Sequence, residues 1–467
     1  MKIAFHGAAR MVTGSKHLIT LISGKQILLD CGMFQGGGDR TSQLNREFGF
    51  DPSKVNYLVL SHAHIDHCGL IPRLVREGFR GQIFCTPATL DLTRILLLDS
   101  ADIQQSDAHF MNKRAKTLGI PLEEPLYGEE DVRRALLQFQ TISYGQVCRL
   151  EENIELTYTD AGHIIGSAAV HLRIRENDRD FRISFSGDVG RYGDIILNSP
   201  GIFSQADYIL IESTYGNSLH DESSPSAELL LQYIRETCLE RKGRLVIPAF
   251  SVGRTQELLF ELNQMSLAGR LPDVEVFVDS PLSIEATEVV KSHPECFNRA
   301  VRTLLETDSD PFNFPNLSYI RDVKSSIALN DRKEPCVILS ASGMADAGRV
   351  KHHIAHAISN PANMILITGY CEPHSLGGRL VAGAKEVTIY GRPYRVNAHV
   401  GKIRSMSAHG DYKDLLKFLD CQDPEMVRKV FIVHGEYPVQ KDFKTKLIQK
   451  GFREVMIPDL HEEITLI

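Results

Sequence analysis

Six residues, His62-Ala63-His64-Ile65-Asp66-His67, constrain this chain more than any others. Three imidazoles and a carboxylate sit directly after the apolar run 55–60, a combination of ligand types that suits zinc and related divalent metals. Alternate residues of an extended chain share a side, so His62 and His64 can face one way together, while the turn through Asp66 and His67 offers a second pair. Four such groups at a strand tip fit a two-metal centre better than a structural zinc closed by cysteines. A metal-free surface loop would need another reason to place four ionisable groups after an apolar strand.

A chain of 467 residues exceeds one ordinary compact core, so two or three domains are expected. The net charge of −7 means that any nucleic acid must be held by a local basic surface and not by the global field. Nine scattered cysteines without a Cys-x-x-Cys read as reduced thiols, and no signal-like segment or membrane-length apolar run occurs. A cytoplasmic protein is expected.

Short β-rich runs alternate with helical stretches throughout, which predicts α/β layers. Several runs end in a polar residue: 26–29 into Asp30, 181–185 towards Asp188, 208–211 into Glu212, 337–339 into Ser340, and 430–433 into His434. Polar groups just past strand ends are where α/β proteins build their sites, so one cleft assembled from both halves of the chain is expected. The polar stretch 99–140 reads as helical with a break around 119–125. His163 and Asp188 each lie beside glycines, where the backbone can turn tightly.

With Asp30, His62/His64/Asp66/His67, His163 and Asp188 in that order, the chain resembles the metallo-β-lactamase superfamily. The resemblance implies two Zn2+ per chain. His62, His64 and His163 would hold one, Asp66 and His67 the other, and Asp188 would bridge them, with Asp30 orienting the ligand loop from behind.

From about Tyr208 to Arg395 the chain resembles the β-CASP insertion of nucleic-acid-cleaving members. The matching segments are Ile211–Gly216 around Glu212, Pro248–Glu257 around Arg254, Asp279-Ser280-Pro281-Leu282 and Ser340-Ala341-Ser342-Gly343-Met344. Ser407–Asp411 around His409 and Val433-His434-Gly435-Glu436 follow them. The implied fold is α/β: a metallo-β-lactamase αββα sandwich, residues 1–207 and 396–467, with an inserted β-CASP α/β cap domain at 208–395. The pattern starts at residue 1, so the N-terminal KH extension of some archaeal relatives is not expected. Ser375-Leu376-Gly377-Gly378-Arg379 stands where the family often has Gly-Thr-Leu-Gly-Arg.

The activity implied is zinc-dependent, two-metal hydrolysis of single-stranded RNA, leaving 5′-phosphate and 3′-hydroxyl, by an endonuclease with 5′-to-3′ exonuclease action also open. His434 would complete the second metal's shell, and histidine there accompanies members acting on RNA. Asp66, Glu212 and His409 would be catalytic, with His409 as general acid held by Glu212. Arg254, after Gly253 at a helix start, is a candidate phosphate contact or a structural arginine. Ser340, Ser342 and Gly343 would meet substrate or form a tight turn. His352-His353-Ile354-Ala355-His356 mimics a metal motif but reads better as packing. No membrane and no nucleotide cofactor are expected, and a homodimer is an allowed assembly. Two other readings compete: a metallohydrolase of small esters or thioesters, and a catalytically inactive RNA-binding subunit.

Overall fold

The computed structural model describes residues 1–36, 39–118, 122–220, 226–369, 371–403 and 406–466. It divides into two compact units, one built from Met1–Leu219 with His409–Ile467, the other from His220–Ala408.

The first unit contains two seven-stranded sheets. One runs Glu463–Thr465, Lys2–Phe5, His17–Thr20, Gln26–Leu29, Tyr57–Val59, Gln82–Cys85, Phe139–Thr141. The other runs Val455–Met456, Lys429–Ile432, Tyr208–Ile211, Arg179–Phe185, Ala168–Glu176, Ile154–Asp160, Cys148–Glu151. Strands such as Ile154–Asp160 bury alternate residues, as a half-covered sheet requires. Their inner faces meet through Phe5, Ile27, Leu29 and Phe84 from the first sheet and Leu156, Val170, Ile183 and Phe431 from the second. Each such side chain contributes about 1.5–3 kcal/mol on burial.

Helices cover both outer faces. Leu74, Leu97 and Val132 pack on Leu28, Leu58 and Ile83 of the first sheet. Leu415, Phe418, Phe443 and Leu447 pack on Ile209, Ile211, Val430 and Ile432 of the second. This is the αββα sandwich. The long helix Pro87–Leu118 and the helix Glu129–Leu136 account for the polar stretch, and of its expected break at 119–125, residues 119–121 lie outside the described residues.

The second unit holds a six-stranded parallel sheet in the order Leu317–Tyr319, Glu275–Val278, Cys336–Ser340, Arg244–Pro248, Met364–Thr368, His399–Ile403. A separate hairpin pairs Glu386–Ile389 with Arg392–Arg395. Division by compactness falls somewhat later in the chain than the motif boundaries. Strand Tyr208–Ile211 pairs with Arg179–Phe185 and Lys429–Ile432 in the sandwich, whereas His399–Ile403 extends the parallel sheet. Among the described residues, no helix is long and apolar enough to cross a membrane.

Candidate metal centre

In the first unit the chemistry-bearing residues lie just past strand ends. Asp30 follows Gln26–Leu29, His62 follows the parallel strand Tyr57–Val59, and His163 follows Ile154–Asp160. Asp188, Glu212 and His434 come after the mutually parallel strands Arg179–Phe185, Tyr208–Ile211 and Lys429–Ile432. Carboxyl ends of parallel strands thus deliver both halves of the site. Gly187 allows the turn into Asp188: its φ is +55°, and a Cβ there would lie 2.8 Å from Cβ of Ser61. Asp30 and His434 adopt left-handed backbone, φ +58° and +51°, without being glycine. That strain is tolerated where surrounding bonds overdetermine the geometry.

Seven side chains form two groups that share one carboxylate. Nδ1 of His64 lies 3.1 Å from Nε2 of His62 and 3.1 Å from Nε2 of His163. Oδ2 of Asp188 is 3.5 Å from His62 Nε2 and 3.6 Å from His163 Nε2. The other oxygen, Oδ1, is 3.4 Å from Nε2 of His67. Nε2 of His434 lies 3.2 Å from Nε2 of His67 and 3.4 Å from Oδ2 of Asp66.

Hydrogen bonds behind the rings decide which nitrogens face inward. Nδ1–H of His67 donates to Oδ2 of Asp30 at 2.7 Å. The Ser61 hydroxyl donates to the same oxygen at 3.0 Å and lies 3.1 Å from Nδ1 of His62, and the Ser61 amide donates to Oδ1 of Asp30 at 2.8 Å. Ser15 adds a further donor at 3.1 Å. Asp30 therefore presets two rings at once, leaving both Nε2 lone pairs pointing at the centre. The Thr214 hydroxyl does the same for His434, 3.0 Å from its Nδ1.

Burial pushes the His62 imidazole well below its ordinary value and holds His64 at about 4, so both present lone pairs. At Asp66 burial favours the neutral acid, yet His434 and His67 keep the carboxyl at about 2. Burial likewise opposes ionisation of Asp188, but His434, His67 and His62 carry it well below the carboxylate range. His67 goes the other way, with Asp188 and Asp30 overriding burial to raise it well above the histidine range. A divalent ion would take the place of that proton.

The donor set fits a pair of metal ions. Ligand atoms about 2.0–2.1 Å from a tetrahedral zinc stand about 3.3 Å apart, and the separations above cluster around that value. Converging neutral imidazole nitrogens cannot satisfy one another with so few protons, whereas a cation satisfies all of them. His62, His64, His163 and Asp188 would hold one ion, and Asp66, His67 and His434 the other, with Oδ1 of Asp188 reaching the second group at 3.4 Å from His67 and 3.5 Å from His434. Glu212 also comes within ligand distance of Asp188 and His434. Its oxygens are already engaged, Oε1 accepting from the Val189 amide at 2.7 Å and Oε2 from the Thr214 amide at 3.1 Å.

Oε1 of Glu212 also lies 3.2 Å from Nδ1 of His409. Burial alone would keep His409 neutral, but Glu212, then Asp188 and Asp66, hold it up at about 9. The His409 ring centroid is 4.4 Å from that of His163, which places a protonated imidazole at the border of the ligand cluster.

Residues 12–84 match the metallo-β-lactamase superfamily, 255–380 the Beta-Casp domain, and 393–458 the Zn-dependent metallo-hydrolase RNA specificity domain. A ribonuclease of Thermus thermophilus is 34% identical over 436 residues, covering 93% of both chains. The chain belongs to the β-CASP ribonuclease family of the metallo-β-lactamase superfamily. It is therefore a hydrolase by family. An RNase J-like protein of Methanocaldococcus jannaschii is 30% identical, covering 93% of this chain and 92% of its own. Transcription termination factor FttA of Methanosarcina mazei is 30% identical over 91% of this chain, which spans only 65% of that longer relative. A crystal structure of a protein of unknown function from Enterococcus faecalis V583 shares the fold at TM-score 0.53 and 13% identity, covering 100% of this chain and 99% of that one.

The remaining candidates lie in the second unit. Arg254 is buried, its guanidinium taken up by the Glu257 carboxylate and the Met406 carbonyl. That is the placement of a structural arginine, the other of its two readings. The Ser340 hydroxyl donates to the Asp279 carbonyl at 2.7 Å, while half-buried Ser342 bonds with Ala347. Gly343 lies against Phe250, whose ring a Cβ would meet at 2.6 Å. These three sit at the end of strand Cys336–Ser340 and in the start of the nine-residue loop that leads to helix Val350–Ala357. Ser375 caps the helix Leu376–Val381, accepting from the Gly378 amide at 3.0 Å.

The three histidines of 352–356 go to separate tasks. Nε2–H of His353 donates to Oδ2 of Asp279 at 2.6 Å and its Nδ1 lies 2.9 Å from Oδ1 of Asn330. His352 stacks on Tyr390, and His356 lies 2.9 Å from the His352 carbonyl. Ser15 and Ser61 carry no distinctive signal in the sequence, and Thr214 lies in the Ile211–Gly216 segment with nothing to mark its bond to His434. Equally unannounced is Lys16, fully buried, whose ammonium donates to the carbonyls of Gly14 and Gly32 at 2.8 and 2.7 Å, tying together the loops around the ligand run. A lysine directly before the apolar strand His17–Thr20 was its only trace.

Proposed function

We propose that this chain is a two-zinc ribonuclease that hydrolyses single-stranded RNA to 5′-phosphate and 3′-hydroxyl ends. The carrying observation is Asp188, which turns one carboxylate oxygen to His62 and His163 and the other to His67. Divalent ions in such a site supply Lewis acidity towards a phosphoryl oxygen and acidify water. A water oxygen forms the new bond to phosphorus, its proton passing to solvent, as the bond from phosphorus to the 3′-oxygen breaks. His409 gives its proton to that departing oxygen, and Glu212 holds the ring at Nδ1 so that Nε2 carries it. Ionised Asp66 and the Asp30-oriented rings keep the ligand set fixed throughout.

RNA as substrate is supported by the RNA specificity match at 393–458 and by the ribonuclease names of the Thermus and Methanocaldococcus relatives. A catalytically inactive subunit fits poorly with a full ligand set and a backed His409. The test is cleavage of end-labelled single-stranded RNA and matching DNA by zinc-loaded protein, beside Asp188→Ala. Metal-dependent cuts in RNA, absent from the variant, are expected, and no cleavage of either polymer would sink the assignment.

A further inference from the structure

The hairpin of the second unit turns through Tyr390 and Gly391, with φ of +51° and +73°. Two-residue turns with both φ values positive favour Asn-Gly or Asp-Gly, so a tyrosine there is an expensive choice. It is not compensated by burial, for Tyr390 is 52% exposed. Instead its ring is propped from the neighbouring helix Val350–Ala357. His352 stacks against it, centroids 4.6 Å apart at 27°, and Nζ of Lys351 lies 5.0 Å from the ring centre.

The surroundings are cationic. Arg392 follows the turn directly, Arg395 closes the second strand, Lys385 precedes the first, and all three are exposed. Against them stands Glu386, register partner of Arg395. Lys351 donates to the backbone carbonyl of Asp346 and not to its carboxylate, so its charge is not cancelled there. His352 is pushed below its ordinary value chiefly by burial, and further by His353, His356 and Lys351.

An exposed aromatic on a strained turn, supported from behind, with Lys351 beside its ring, Arg392 next to the turn and Arg395 farther along the strand, combines the two elements that bind single strands without sequence preference: a stacking face and phosphate-neutralising charge. With a net charge of −7, the chain depends on such local basic surfaces to hold a polyanion. We propose that the Tyr390 hairpin is an accessory contact for single-stranded RNA, Tyr390 stacking on a base while Lys351, Arg392 and Arg395 take phosphates. This rests on the ribonuclease reading and adds a second anchoring point outside the metal centre.

The test compares wild type, Tyr390→Ala, Tyr390→Phe and Arg392→Glu/Arg395→Glu. Fluorescence anisotropy measures affinity for an end-labelled 30-nucleotide RNA across a salt series. Cleavage kinetics are followed on 30- and 6-nucleotide RNAs, and melting curves check folding. Tyr390→Ala should bind the long RNA about tenfold more weakly and raise its KM with kcat unchanged, while Tyr390→Phe retains wild-type values. The double arginine variant should flatten the slope of log K against log salt by about 1.4, two phosphates at about 0.7 each. Long-RNA affinity and slope unchanged in every folded variant would overturn the proposal. So would intact RNA binding with an altered sedimentation mass, which would make the face a contact between copies of the chain. Should wild type cleave neither RNA, the ribonuclease reading falls, and the anisotropy series still decides the hairpin's role.

Discussion

Glu212 lies 3.2 Å from His409 although 197 positions separate them, and its charge keeps that imidazole protonated up to about pH 9. A raised pKa means that the acid form is present below that value and lost as pH rises through it. Glu212→Gln should therefore move the alkaline limb of the pH–rate profile to lower pH, towards the ordinary histidine range near 6.5. His409→Ala should keep both metals and lose about 10²–10⁴-fold in kcat. Normal turnover by His409→Ala would remove the acid role.

Asp188 faces His62 and His163 with one oxygen and His67 and His434 with the other, so Asp188→Ala should disturb both ligand groups. Elemental analysis after dialysis should find fewer than two equivalents of zinc retained, against two for wild type. His163→Ala, which touches one group, should leave the other occupied.

Asp30 contacts no metal position, yet fixes the rings of His67 and, through Ser61, His62. Asp30→Asn keeps the shape but weakens the acceptor facing His67. Competition with a chelating dye should find zinc affinity reduced about 10- to 100-fold.

In the second unit, Asp279 accepts from His353, Ser326 and Arg349. Burial favours its neutral form, but these partners together hold its carboxyl below the usual range. A depressed carboxylate adds stability above its unfolded value near 3.9, which is lost as pH falls through the folded one. Thermal melts below pH 4 should show a steeper loss in wild type than in Asp279→Asn, whose stability is lower at neutral pH.

Arg254→Ala should lower stability by about 3 kcal/mol, since it leaves Glu257 without its buried partner. The salt dependence of RNA binding should not change. A shallower slope would return Arg254 to the phosphate contacts.

How much of this was readable beforehand depended on whether neighbours in space were also neighbours in sequence. His62 to His67 lie together, and the strands that deliver Asp188, Glu212 and His434 announce themselves as apolar runs ending in a polar residue. The second-layer groups do not. Ser61 and Thr214 matter through hydrogen bonds that composition cannot reveal, and Lys16 through burial. Arg254 at a helix start had two readings, and only the positions of Glu257 and the Met406 carbonyl favour one. His353 owes its place to Asp279, 74 residues away. The extent of each unit followed strand pairing, not motif position.

The insertion also has a consequence in time. A growing chain makes His62, His64, His163 and Asp188 first, and these alone form one whole ligand group. The whole second unit must then emerge before His409 and His434 exist. Because chains leaving the ribosome fold from the N-terminal end, the first ligand group can assemble before His409 and His434 have been made. On the proposed ribonuclease reading, the long interruption sets the order of assembly: one ligand group is encoded before the second unit, and the other is completed only after it.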